Sequence, residues 1–159
     1  MWQGDTFQSR IRGGGKVHVT GFTDDCSRYR VKSTVYLHKD AASAVNALHR
    51  ALRAGRIPRG MYLDNGKQFV SKAFKAEAEK HGIKLISGRP YHPCGRGKIE
   101  RYHQTLYREL IALKEFRSPS HFRRELWNFD RRYNNWRKQE ILDRMTPSSF
   151  SVQQRIQFQ

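Results

Sequence analysis

From Tyr29 to Leu37 the chain alternates along Tyr29-Arg30-Val31-Lys32-Ser33-Thr34-Val35-Tyr36-Leu37, rich in β-branched and aromatic residues, and this predicts a strand. Two earlier runs read the same way. Residues 2 to about 11 mix Trp, Thr, Phe and Ile with polar residues and end at Gly13-Gly14-Gly15. Val17, Val19 and Gly21-Phe22 lead to the polar turn at Asp24-Asp25. The pattern then changes period. Ala41, Ala44, Val45, Leu48 and Leu52 follow Asp40, a residue suited to capping a helix, and Gly55 with Pro58 stops that helix. Met61 to Asp64 is a short buried strand. Ser71 caps a second helix running to about His81, with Gly82 as its stop, and Lys84 to Ser87 is a fifth strand. From about Gly97, Ile99, Tyr102, Leu106, Leu110 and Leu113 form an amphipathic stripe, and Phe122, Leu126, Phe129 and Tyr133 form another after Ser118.

The expected order is β-β-β-α-β-α-β-α-α. It predicts an α/β fold with a five-stranded mixed sheet, three antiparallel strands plus two joined through helical crossovers, flanked by helices. Strand one would lie centrally beside strand four, so that Asp5 and Asp64 face each other. A single domain covers residues 1–150, and residues 151–159 read as an irregular tail.

Charge changes the picture most. With 31 Lys+Arg against 14 Asp+Glu in 159 residues, the net charge is +17, and the basic residues are spread over several elements. That distribution points to a polyanion such as nucleic acid rather than a membrane surface. No run approaches the roughly 20 apolar residues of a membrane span. Met1 to Asp5 carries no basic segment leading into an apolar core, so no signal peptide is visible and a cytoplasmic, nucleoid-associated location is expected. Cys26 and Cys94 lack metal-ligand spacing, which fits a reducing compartment.

Three acids stand out against this cationic background. Asp64 closes Met61-Tyr62-Leu63 and opens Asn65-Gly66; Glu100 lies thirty-five residues on, near a helix start; Asp5 lies upstream of both. Hard divalent cations take oxygen ligands, and phosphate chemistry uses a few carboxylates plus water and substrate. Each acid has a second reading open at this point. Asp64 could simply open an Asn-Gly turn, Glu100 could complement a helix dipole, and Asp24 and Asp25 rival Asp5 as the third ligand.

Several blocks together carry a resemblance. They are Trp2-Gln3-Gly4-Asp5-Thr6, Asp24-Asp25-Cys26-Ser27-Arg28-Tyr29 and Asp64-Asn65-Gly66-Lys67-Gln68-Phe69, followed by the run Pro90 to Arg101, Tyr133-Asn134-Asn135-Trp136-Arg137 and Thr146-Pro147. In this order they resemble the integrase and DDE transposase superfamily, with its ribonuclease H-like fold, and most of all bacterial insertion-sequence transposases with an integrase core. Two blocks depart from the family pattern. Gln68 stands where many relatives have an acid, and Lys138-Gln139 replaces a common Pro-His pair. Relatives usually carry an upstream helix-turn-helix region, so this chain reads as an isolated core or a truncated element.

The resemblance implies a metal-dependent polynucleotidyl transferase that nicks DNA ends and joins 3′-hydroxyls to target DNA. Asp5, Asp64 and Glu100 would be its catalytic residues and would hold Mg²⁺ or Mn²⁺, two ions in all, with Asp5 bridging. Its partners would be transposon ends, a target duplex and further copies of the chain. Arg96, Lys98, Arg101, Gln104 and Arg108 flank or follow Glu100 and are candidate DNA-binding residues. His103, three residues after Glu100, is a candidate to orient a carboxylate. Trp127 and Trp136, interleaved with arginines, could stack on bases. The alternatives are a nuclease of the same fold and a DNA-binding remnant that no longer cleaves.

Overall fold

A computed structural model of the chain describes residues 1–87 and 97–157, without the side chains of Arg155 and Gln157. The five strands are β1 (Trp2–Arg10), β2 (Lys16–Asp24), β3 (Arg30–Tyr36), β4 (Gly60–Leu63) and β5 (Lys84–Ser87). They form one sheet in the order β3-β2-β1-β4-β5, with β1 central as expected. β1, β2 and β3 pair antiparallel, whereas β4 pairs parallel with both β1 and β5. Parallel neighbours need long crossovers, and helices supply them. α1 (Ala41–Ala54) leads into β4, and α2 (Lys67–Val70) with α3 (Lys72–Lys80) leads into β5. After them come α4 (Gly97–Leu106), α5 (Pro119–Asn135) and α6 (Pro147–Gln157).

Local chemistry sets these ends. Asp40 accepts the Ser43 N–H at 2.7 Å and starts α1; Ser71 accepts the Phe74 N–H at 3.3 Å and starts α3; Ser118 accepts the His121 N–H at 3.1 Å and starts α5. Gly82 at φ +66 turns the chain out of α3.

The two sheet faces carry separate cores. On one, Trp2, Phe22, Met61 and Leu63 pack with Leu48 and Ala51 of α1 and Phe74 and Ala78 of α3. On the other, Val17, Val19 and Val35 pack with Tyr102 and Leu106 of α4 and Phe122, Leu126, Phe129 and Tyr133 of α5. Each large apolar side chain so buried contributes on the order of 1.5–3 kcal/mol. The separation of faces follows from the two-residue period of β1. Trp2 points to the α1 side, while Gln3, Asp5 and Phe7 alternate onto the α4 side.

Two sequence expectations are corrected. The stripe after Gly97 holds through Leu110, which is buried, but Leu113 is 72% exposed. A π-helical turn over Tyr107–Ile111 ends the helix, with the Ala112 N–H reaching back to the Tyr107 carbonyl at 2.8 Å. The wider turn shifts the phase, so the next apolar position faces solvent. The tail expected to be irregular over 151–159 is instead helical through Gln157 in α6. Thr146 Oγ1 accepts the Ser149 N–H at 3.2 Å, and Pro147 sits at the first helical position, where its missing N–H costs nothing.

Candidate active site

Asp5 lies midway along β1, and Asp64 directly follows β4. The parallel register pairs Gly4 with Leu63, so Asp5 and Asp64 are each the next residue on neighbouring chains about 4.8 Å apart. Met61 and Leu63 belong to the α1-side core, so the two-residue period turns Asp64 toward the α4 side, where Asp5 also points. The two acids therefore share one face. Gly4, on the opposite face, leaves room for the Leu63 side chain and the Phe22 ring, since a Cβ there would lie 2.5 Å from Leu63 Cδ2.

Both carboxylates are anchored. Asp5 Oδ1 accepts the Thr6 N–H at 2.7 Å, and Oδ2 lies 3.6 Å from His103 Nδ1. His103 is wedged between the Phe7 ring at 4.8 Å and the Tyr102 ring at 5.7 Å, centroid to centroid. The carboxylate beside His103 is thus Asp5, and His103 itself lies one helical turn from Glu100. Asp64 Oδ1 accepts the Gly66 N–H at 2.9 Å, so this acid does open the Asn-Gly turn as well as standing beside Asp5.

A buried polar clasp brings α4 to this face. Gln3, 3% exposed, accepts the Ile99 N–H on Oε1 at 3.2 Å and donates from Nε2 to Asp25 Oδ1 at 2.7 Å. Lys98 Nζ donates to Asp25 Oδ2 at 2.7 Å. Gln3 is two residues before Asp5 on the same strand face, and through Ile99 it docks the first turn of α4, the turn that carries Glu100, onto β1. Its role was missed in the sequence, although a glutamine at an inward position of a strand was a signal. Asp24 caps its own turn, accepting the Ser27 N–H at 2.8 Å, and Asp25 holds α4. Neither stands in for Asp5.

Glu100 is exposed in the first turn of α4. Asp5, Asp64 and Glu100 are not drawn within 4.8 Å of one another; among the described residues only His49, Glu77 and His81 converge so closely. As a donor set, three carboxylates offering oxygen alone suit Mg²⁺ or Mn²⁺. Two members stand side by side, and the third is one helical turn from His103, which touches Asp5.

Of the candidate DNA contacts, Arg101, Gln104 and Arg108 are exposed and continue the face that bears Glu100. Lys98 is engaged by Asp25. Arg96, like His92 and Cys94, lies outside the described residues. Trp127 is 51% exposed with the Arg131 guanidinium 4.7 Å above its ring, beside a groove of about 550 Å³ between β3 and α5. Trp136 is exposed and Tyr133 is buried in the core. No described helix is long and apolar enough to cross a membrane.

Two family descriptions, each reading integrase core domain, match residues 1–93 and 81–147. The chain belongs to the integrase core family. Its relatives include the insertion element IS476 uncharacterized 39.2 kDa protein of Xanthomonas euvesicatoria, 27% identical over 98% of this chain and 45% of that protein. The Gag-Pro-Pol polyprotein of squirrel monkey retrovirus is 34% identical over 77% of this chain and 6% of the polyprotein. This integrase core thus spans about half the length, or far less, of the relatives it matches. Among solved structures, the catalytic core domain of BIV integrase superposes with a TM-score of 0.74 at 19% identity, over 99% of this chain and 97% of that one. The HTLV-2 integrase catalytic core domain in complex with magnesium does so with a TM-score of 0.71 at 18% identity, over 94% and 93%. The fold is ribonuclease H-like, as the resemblance implied.

Proposed function

We propose that this integrase core is a metal-dependent polynucleotidyl transferase that nicks DNA ends and joins their 3′-hydroxyls to a target duplex. The observation that supports the proposal is the parallel β1–β4 register, which ends at the Gly4–Leu63 pair with Asp5 and Asp64 each the next residue, together with the bond by which Gln3 docks the helix bearing Glu100. Asp5, Asp64 and Glu100 would hold Mg²⁺ or Mn²⁺. A bound divalent ion supplies charge neutralisation and polarisation of phosphate oxygens, and two such ions serve the attacking and leaving oxygens alike. The chain's own residues do the rest. His103 lies against the Asp5 carboxylate, and the β1–β4 pairing would keep Asp5 and Asp64 near one another. Arg101, Gln104 and Arg108, with Arg96 just before them in sequence, would bind phosphates and set the register of the DNA along α4. Water or a 3′-hydroxyl is the nucleophile in the same in-line displacement, so no side chain need form a covalent intermediate. The insertion-element relatives favour transposon ends as the DNA, and copies of the chain would pair those ends.

A duplex oligonucleotide with a recessed or pre-nicked 3′ end tests this, alongside a branched duplex that is already joined, since one displacement runs in both directions. With Mg²⁺ or Mn²⁺ the chain is expected to yield joined product or to resolve the branched substrate, and chelation should abolish both. DNA binding without either product under both metals would sink the proposal. Hydrolysis alone would reassign the chain as a plain nuclease.

The phosphate role has its own readout. Duplex affinity should fall by about 10³-fold or more between roughly 50 and 200 mM salt if six or more phosphates are neutralised. Arg101→Ala and Arg108→Ala should each reduce the logarithmic salt slope by about 1. A slope unchanged in both variants would take DNA off this helix face.

A further inference from the structure

On the other side of the sheet, three ligand-bearing side chains converge away from the acids. His49 projects from α1, and Glu77 and His81 project from α3 and its C-terminal cap. His49 Nε2 lies 2.8 Å and His81 Nε2 3.1 Å from the same oxygen, Glu77 Oε1. The two imidazole rings are 6.4 Å apart and inclined at 76°. α1 and α3 cover the sheet face opposite the one that Asp5, Asp64 and α4 share. This cluster therefore cannot be part of the proposed catalytic centre.

We propose that His49, Glu77 and His81 form a second metal site, selective for a borderline transition ion of the Zn²⁺ class and distinct from the Mg²⁺-type acids. Two imidazoles and one carboxylate are a recurrent Zn²⁺ donor set that leaves a fourth position to water, whereas Mg²⁺ prefers oxygen throughout. The spacing is already close. Ligand atoms about 2.0–2.1 Å from a tetrahedral ion stand roughly 3.3 Å from one another, so the 2.8 and 3.1 Å separations need to open only by tenths of an ångström. Glu77 and His81 are four residues apart on one helical face, the spacing that presents two ligands to one ion.

The backbone beneath is rigid. Leu48 and Ala51 flank His49 in α1, Phe74 and Ala78 flank Glu77 in α3, and all four are buried in one core. Lys80 Nζ, 3.9 Å from Glu77 Oε1 on a side chain 72% exposed, can swing into solvent when a cation enters. The side chains of His49 and His81 are 40% and 30% exposed, so an ion has an open path in. With the ion bound, the site pins α1 to α3 and stabilises the face of the sheet opposite the DNA.

Calorimetric titration and thermal melting with Zn²⁺ test this, using Asp64→Asn protein so that the acid site is disabled. One equivalent of Zn²⁺ is expected to bind there, raising Tm by roughly 5–10 °C at about 100 times its Kd. His49→Ala and His81→Ala should each weaken Zn²⁺ binding by at least about tenfold, since even residues behind a metal's ligands cost 10–100-fold when lost. His49→Gln, which keeps a polar partner for Glu77, covers the case in which alanine unfolds the chain. Absence of Zn²⁺ binding in the Asp64→Asn protein, or binding that survives both histidine replacements, would overturn the site. Neither result bears on DNA joining, which depends on the opposite face.

Discussion

An Asp64→Asn chain is expected to fold and bind DNA as the parent does while losing about a hundred- to a thousandfold in joining rate, the scale seen when charge stabilisation at a reacting centre is removed. The substitution separates the two roles that Asp64 combines. Its Oδ1 accepts the Gly66 N–H, and an asparagine Oδ1 accepts that bond equally well, so the turn into α2 survives. What the amide cannot supply is negative charge for a divalent ion. Far-ultraviolet circular dichroism and Tm should match the parent, and duplex affinity should be equal or slightly higher, because one negative charge near the DNA is gone. Joining within tenfold of the parent would leave Asp64 as a turn residue and nothing more. Asp5→Asn should behave alike, its anchoring by Thr6 and His103 being local to the side chain.

Gly21→Ala should be the most damaging replacement away from the acids, costing about 3 kcal/mol or more and lowering Tm by roughly 10 °C in urea or heat denaturation. Gly21 pairs with Asp5 across β1 and β2, and the space where its side chain would stand is filled by the Arg30 guanidinium. A Cβ there would lie 1.7 Å from Arg30 Nη2 and 2.3 Å from Cζ. A flexible surface arginine would swing aside, but Arg30 is 2% exposed. Its Nε donates to Ser33 Oγ at 2.9 Å, its Nη1 donates to Thr23 Oγ1 at 3.0 Å, and its guanidinium lies 4.1 Å over the Tyr102 ring. Tyr102 in turn donates from its hydroxyl to Asp130 of α5, and Asn134 of α5 receives the Arg30 N–H and returns a bond to the Arg30 carbonyl. Burial pushes both the Tyr102 phenol and the Asp130 carboxyl up, with the Arg30 charge opposing in each case. Displacing the guanidinium would strand that group and loosen β3, α4 and α5 together. A Tm within about 2 °C of the parent would show that the arginine relocates at little cost.

These two glycine and aspartate positions show how far pattern reading reached. The strand and helix periods placed all five strands and the three long amphipathic helices, because burial of one face leaves a mark every second residue in a strand and every third or fourth in a helix. They failed where that mark is weak or shared. The π-turn moved Leu113 outward without changing its spacing from Leu110, and α6 has only a diffuse apolar face. Arg30 stands in an alternating strand and is among the most buried side chains, a fact the pattern alone does not carry because it cannot reveal the empty position at Gly21 that receives the guanidinium.

What the linear order determined was the sheet. Hydrophobic period, turn residues and caps are local, and with right-handed crossovers they leave few ways to arrange five strands. The same order, read with its charge and acids, was enough to name a polyanion and a carboxylate-held cation. Tertiary structure alone decided which side chains meet across long intervals. It paired His103 with Asp5, used Gln3 and Asp25 to dock α4, and brought His49 to Glu77 and His81 from two helices. Such contacts join residues tens of positions apart, and each depends on the packing angle of whole elements, a quantity to which no single stretch of chain contributes a readable sign.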